Sequence, residues 1–246
     1  MPTIYSGTGD SYAQLGSNVS WAGARGSVSS VADVYGNTST NSTYAVYNIY
    51  SGGRGGNNYF CRRSYFPFEL SLQSGTLESA TIQLYLDNLG TVGSNADKVT
   101  LVEATALAGT SADYGNCFAS GVTLGTEVSD VVTVSTTAGY HTFTINSNGI
   151  TAIQNKIGSG TFTICLMGNN FDKRLSAPSL GGNYTQIQCY YADYTGTSRD
   201  PKLTLTYAAE VTDNAVFFGC NFWDLYMTII INIFKSISLV EKEFYG

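Results

Sequence analysis

Charge is scarce in this chain. Of its 246 residues, 12% are Asp, Glu, Lys or Arg, against a usual share of roughly 25%. That excludes a highly charged disordered protein and argues against a coiled coil, whose solvent face needs Glu and Lys. Basic residues number 12 against 18 acidic ones, a net charge of −6. A chain of that sign repels a phosphate backbone at long range, so no nucleic-acid partner is expected. Histidine is represented by His141 alone, and the five cysteines, Cys61, Cys117, Cys165, Cys189 and Cys220, contain no C-x-x-C pair. Without that spacing, and with one histidine, no structural zinc site is expected. Four of the cysteines sit in apolar or aromatic runs, where small buried hydrophobes are expected. The opening residues, Met1-Pro2-Thr3-Ile4-Tyr5-Ser6-Gly7, lack a basic segment followed by an apolar one, so no secretory leader is expected.

Gly, Ser, Thr, Asn and Tyr carry the surface in place of charge, and hydroxyl and β-branched side chains suit a pleated, half-exposed sheet. Period-two alternation supports this. Ala80, Ile82, Leu84 and Leu86 fall on one face, with Thr81, Gln83 and Tyr85 on the other. Phe162, Ile164 and Leu166 alternate in the same way, as do Leu203, Leu205 and Tyr207. Further strands are expected at residues 42–50, 58–70, 97–104, 127–134, 140–145 and 185–191. So many one-sided strands with few helical signals predict an all-β fold, an antiparallel jelly-roll-like β-sandwich. One helix is expected over Ser147 to Ile157, where Ile150, Ile153 and Ile157 keep helical spacing and Gly158 stops the run. The glycine-rich runs 51–58 and 181–183 lack the Gly-Lys-Ser/Thr ending of a phosphate loop and read as hairpin connections.

Composition changes near Glu210, which divides the chain into a sandwich at 1–209 and an apolar C-terminal segment at 210–246. The segment carries Phe217, Phe218, Phe222, Trp223, Tyr226, Ile229, Ile230, Ile233 and Phe234. A membrane helix needs about 20 largely apolar residues, and Asp224 interrupts this stretch. A membrane span is therefore not the expected reading. Docking against a partner or a second copy of the chain, giving a homo-oligomer, is preferred. A poorly folded extension without a role is the competing alternative.

The run Arg62-Arg63-Ser64-Tyr65-Phe66-Pro67-Phe68, followed by Ser79-Ala80-Thr81-Ile82-Gln83-Leu84-Tyr85-Leu86, resembles a pattern of the DNRLRE-like (disaggregatase-related repeat) β-sandwich domains. Tyr140 to Ile145 with the following helix, and Arg199-Asp200-Pro201-Lys202-Leu203-Thr204-Leu205-Thr206-Tyr207, resemble that family's later strands. Gly9-Asp10-Ser11-Tyr12 and Trp21-Ala22-Gly23-Ala24-Arg25 are similar to the openings of bacteriophage members. The resemblance covers residues 3 to 207 and rests on framework motifs. It implies a non-enzymatic domain of one of two kinds: a virion structural or adhesion subunit of the fibre or capsid-decoration type, or a carbohydrate-binding module of a polysaccharide-degrading or cell-surface system. The first predicts a virion location with other virion subunits and surface polysaccharide as partners.

No chemistry-bearing constellation stands out. The acids lie singly at turns, without the carboxylate pair that glycoside hydrolysis needs. His141 shares strand parity with Phe143 and Ile145 and reads as a rim residue, and no serine stands in a G-x-S-x-G elbow. No cofactor is expected. A structural calcium is the one candidate metal, with Asp10, Asp193 and Asp200 as its loop carboxylates. Sugar contacts call for aromatic faces with hydrogen-bonding neighbours. Tyr184, Gln186, Gln188, Tyr190, Tyr191 and Tyr194 lie on or beside one strand, and Arg62, Arg63 and Arg199 are available cations. The competing reading is that these tyrosines stabilise an exposed sheet through cross-strand pairs. Trp21 and Arg25, four apart, are expected to make a stacked or ion-paired framework contact.

Overall fold

Each alternating segment has one apolar face to cover, and the fold meets that need by laying strands over one another in two layers. The structure is a computed structural model. It describes residues 1–7, 9–18, 20–25, 34–37, 43–53, 56–91, 97–120, 123–173, 184–192, 196–209 and 226–233. In chain order the strands are β1 (Thr3–Tyr5), β2 (Ser11–Asn18), β3 (Val34–Asn37), β4 (Thr43–Gly53), β5 (Gly56–Glu69), β6 (Leu77–Thr91) and β7 (Lys98–Ala104), then β8 (Phe118–Ser120), β9 (Thr123–Leu124), β10 (Val132–Thr133), β11 (Gly139–Thr144), β12 (Thr161–Gly168), β13 (Tyr184–Cys189) and β14 (Lys202–Tyr207). The helices of this part are α1 (Trp21–Arg25) and α2 (Ser147–Gln154).

The two longest strands organise the rest. Residues 56–62 of β5 pair with β4 while 64–69 pair with β12, and β2 lies along its other edge. In the same way residues 77–83 of β6 pair with β14 and 86–91 with β13, with β11 on the opposite edge. All these pairings are antiparallel. One layer reads β11-β6-β14-β1 and the other β2-β5-β12-β7-β10, with β4 and β13 joining them. The architecture is therefore all-β and antiparallel, with few helices.

The inner core lies between the layers. Ile82, Leu84 and Leu86 of β6 and Leu203 and Leu205 of β14 meet Phe66 and Phe68 of β5, Leu101 of β7 and Phe162, Ile164 and Leu166 of β12. A second core covers the outer face of the β2-β5-β12-β7 layer: Tyr65, Cys61, Cys165, Met167 and Val102 pack there under Trp21, Tyr114, Phe118 and Phe171. β12 is consequently buried on both faces. On its second face Cys165, as the small buried hydrophobe expected, and Met167 lie under the second core, and Thr163 beside them is buried too.

Helix α2 begins where Asn146 Oδ1 accepts the Gly149 N–H at 3.0 Å, an N-cap. Only glycine fits at 149, since a Cβ there would lie 2.5 Å from both Val128 O and Ile145 Cγ2. The regular helix ends at Gln154 rather than Ile157. Lys156 N–H already bonds Ile153 O, a tightened last turn. The glycine-rich run 51–58 lies at the end of the β4–β5 hairpin, as expected, with the ladder continuing to Gly53 opposite Gly56. One further expectation needs correction. Residues 127–134 are not a continuous strand, because their backbone bonds are divided between layers: Val128 N–H goes to Leu101 O, and Asp130 N–H to Thr144 O.

The chain falls into two compact units, Met1–Ala208 and Ala209–Gly246. In the second, a helix α3 spans residues 226–233, with Tyr226, Met227, Ile229, Ile231 and Ile233 exposed and Ile230 half-buried. Phe217, Phe218, Phe222, Trp223 and Phe234 lie outside the described residues. Among the described residues no helix is long and apolar enough to cross a membrane.

Candidate ligand-binding surface

With Ile82, Leu84 and Leu86 turned into the core, the period of two sets Gln83, Tyr85 and Asp87 on the outer face of β6. Antiparallel register places Tyr140 of β11 directly opposite Tyr85. On the other edge the chain leaving β13 brings Tyr190 alongside, its N–H reaching Tyr85 O at 3.4 Å. The three rings form a ladder. Tyr85 and Tyr140 have centroids 5.4 Å apart at 79°, and Tyr85 and Tyr190 5.3 Å apart at 88°, the edge-to-face geometry that ring quadrupoles favour.

Two cations lie over this ladder. The Arg199 guanidinium carbon is 4.6 Å from the Tyr190 centroid and 5.1 Å from that of Tyr85, and Lys202 Nζ is 3.9 Å from that of Tyr140. Such contacts hold a flexible cation in place at an accessible surface. Tyr140 is fixed at its far end too, where its hydroxyl donates to Asp200 O at 3.1 Å. Burial, followed by the Asp200 charge, pushes the Tyr140 phenol above its ordinary value, so it stays a neutral donor. All five side chains are half-buried. The surface thus presents two positioned cations backed by aromatic rings, able to donate hydrogen bonds to hydroxyl or acid groups of a ligand.

Of the residues singled out from the sequence, Gln186, Gln188, Tyr190 and Arg199 share this outer surface. β13 turns Ile187 and Cys189 inward, leaving Gln186 and Gln188 half-buried on the other side. Tyr184 opens β13 opposite Ile49, and its side chain lies outside the described residues, as does Tyr194. Tyr191 is corrected: it is fully buried, stacked on Phe66 at 5.4 Å and bonded to Ser64 Oγ at 2.8 Å. One residue past Tyr190, it turns to the opposite face. Tyr85, Tyr140 and Lys202 were not singled out from the sequence. Tyr85 carried a signal as an outward residue in a strong alternation, but its partners come from register.

The other candidates serve the framework. Arg63 is fully buried, so it is not an available cation. Its Nε and Nη2 donate to Asp172 at 2.7 and 2.8 Å, and further N–H groups donate to Tyr114 O and Arg25 O. Burial is the largest single influence and lowers Arg63, but Asp172, Tyr114 and Cys117 together outweigh it and hold the guanidinium well above its ordinary value. Arg25, also bonded to Asp172 O, is lowered by burial, only partly offset by Asp172. Trp21 Nε1 donates to Phe171 O at 3.1 Å, so Trp21 and Arg25 hold the same turn, Asn169–Lys173. Arg62 faces outward, donating to Gln14 Oε1 at 3.0 and 2.7 Å and stacking over Tyr12. His141 sits at the rim, where Nδ1 donates to Gly139 O and Nε2 accepts the Ser135 N–H, both at 2.9 Å.

For calcium, Asp10 Oδ2 accepts the Ser6 hydroxyl and the Ala192 N–H, Asp200 is buried, and Asp193 lies outside the described residues. Among the described residues no three His, Cys, Asp or Glu side chains converge. Cys61, Cys117, Cys165 and Cys189 are buried free thiols, and Cys220 lies outside the described residues.

No protein-family model matches the chain. No curated protein matches it in sequence.

Proposed function

We propose that this chain is a non-enzymatic virion protein of the fibre or capsid-decoration type, an adhesion module that contacts surface glycans through the Tyr190–Tyr85–Tyr140 ladder. The observation that carries the glycan reading is the placement of Arg199 and Lys202 over three contiguous tyrosine rings on an outer sheet face. Rings supply apolar area at low entropic cost, and held cations supply hydrogen bonds to hydroxyl and acid groups. The virion reading draws its support from the resemblance of residues 3 to 207 to DNRLRE-like domains and from a surface poor in charge. In this reading the apolar residues of α3 and its flanks seat the module against another virion subunit or a second copy.

Two measurements test it. Antibody labelling should find the protein on purified virus particles; absence from every particle sinks the virion reading. On a glycan array, binding by the intact chain should be lost in Tyr190→Ala while its near-UV dichroism is unchanged. Equal binding by wild type and variant removes the ladder as the contact. Array binding by a chain that no particle contains would favour a carbohydrate-binding module instead.

A further inference from the structure

The outer face of the β5-β12-β7 layer is covered by the second core at one level and borders a hollow at the next. Tyr65, Cys165 and Val102 stand opposite one another across the three strands and are buried in the second core. Two residues along, on the same face, Pro67, Thr163 and Ala104 form the next row, and this row lines a groove of about 820 Å³. The β8–β9 hairpin makes one wall, with Phe118 and Leu124 lining it. That wall is fixed by backbone bonds, Gly125 N–H to Cys117 O and Glu103 N–H to Thr126 O, each at 2.8 Å. Gly125 lies so close that a Cβ there would stand 2.9 Å from Cys117 O. The groove is thus built into the fold.

A second depression of about 390 Å³ shares Glu103, Thr126 and Lys156 with it and continues toward α2. Among the described residues, neither the Glu103 carboxylate nor the Lys156 ammonium is in an ion pair. We propose that this extended groove is a second binding site, for a neutral oligosaccharide. The larger hollow falls within the roughly 300–1,000 Å³ of small-molecule sites, which pair an apolar lining with a few convergent polar groups. Leu107 and Leu124, both half-buried, offer apolar surface to the C–H faces of sugar rings. Glu103 accepts hydrogen bonds from hydroxyls, Lys156 donates to them, and Thr126 can do either. One charge of each sign favours a ligand with no net charge, because an anion gains from Lys156 and loses to Glu103. The elongated outline suits several linked sugars rather than one. This inference goes beyond the ladder and stands without it.

The test is an array of neutral and acidic glycans probed with the intact chain, followed by amide chemical-shift mapping with the best neutral oligosaccharide on the array. Shifts centred on residues 103, 118, 126 and 156 are expected. Thr126→Trp, at an exposed rim position, should weaken binding by about ten-fold or more by filling the groove, and Glu103→Gln by a similar factor through loss of a charged acceptor. Unchanged binding in both variants overturns the inference, as does the absence of any neutral ligand. Shifts confined to the face around Tyr85 and Tyr190 overturn it while supporting the ladder. Acidic glycans that bind only at the ladder support the function proposed above and, with no neutral ligand found, overturn the groove.

Discussion

Arg63 grips Asp172 with two parallel bonds, Nε to Oδ2 at 2.7 Å and Nη2 to Oδ1 at 2.8 Å, and neither side chain is accessible to solvent. The same guanidinium also bonds Tyr114 O and Arg25 O. One side chain therefore ties β5 to α1, to the turn at Ser111–Gly115 and to the turn at Asn169–Lys173, the pieces that cover the outer sheet face.

Removing Arg63 takes the two-bond partner from buried Asp172 and leaves Arg25, 3.5 Å away, to face it. Arg63→Met is expected to cost about 3–5 kcal/mol, read as a lower urea midpoint. Arg25 is buried beside the same carboxylate, 3.5 Å away, so Arg63→Met and Arg25→Met combined with Asp172→Leu should recover part of the loss, because all three desolvated charges then disappear. A triple variant no more stable than Arg63→Met alone would show that the buried charges are not the source.

Two adjacent tyrosines should separate stability from binding. Tyr191→Ala removes a buried ring from its stack on Phe66, an expected loss of about 3–5 kcal/mol. Tyr191→Phe removes only the bond to Ser64, worth about 1 kcal/mol. Tyr190→Ala, on the surface, should change stability by about 1 kcal/mol or less while abolishing glycan binding. Urea unfolding alongside the glycan array checks all three.

Glycines offer a sterically matched pair. Gly149→Ala places a methyl 2.5 Å from Val128 O and Ile145 Cγ2, and overpacking of that kind costs about 1–3 kcal/mol. Gly160→Ala meets nothing within 4 Å and should leave the melting temperature nearly unchanged, as differential scanning calorimetry would report.

Burial pushes the thiols of Cys61, Cys165 and Cys189 up, and the reactive form of a thiol is the thiolate. These three should resist a thiol reagent in the native protein and react on unfolding in denaturant. Rapid native labelling of any of them, identified by peptide mapping, would contradict the packing described.

Glu69 accepts the Ser71 N–H at 2.9 Å and the Thr161 hydroxyl at 2.8 Å. The Ser71 backbone bond is the main reason its carboxyl lies below the ordinary value of 4.5. A lowered acid favours the folded state above its unfolded value and loses that contribution as pH falls through the folded one. Stability should therefore fall on the acid side of 4.5, and Glu69→Gln should flatten that limb. Identical acid limbs in variant and wild type would refute it.

Local alternation was enough to read the strands that carry it and which of their faces turns inward. In β6 the residues Ile82, Leu84 and Leu86 point into the core as their spacing requires, because a strand's side chains alternate whatever lies beside it. The start of α2 at Ser147 and the inward turn of Ile153 were legible for the same reason, being local, whereas its cap, Asn146, was not singled out. What lies beside a strand is another matter. The second face of β12 is buried because α1 and the β8–β9 hairpin fold over it, and Thr163 carries no mark of that. Arg62 and Arg63 are neighbours of the same type, yet one stacks over Tyr12 at the surface and the other is enclosed with Asp172, 109 positions away. Tyr190 and Tyr191 divide likewise. Tyr85, Tyr140 and Lys202 meet through register between β6, β11 and β14. Pairing register is a property of several segments together, set by the packing that satisfies all of them, and so it appears only once the chain has folded.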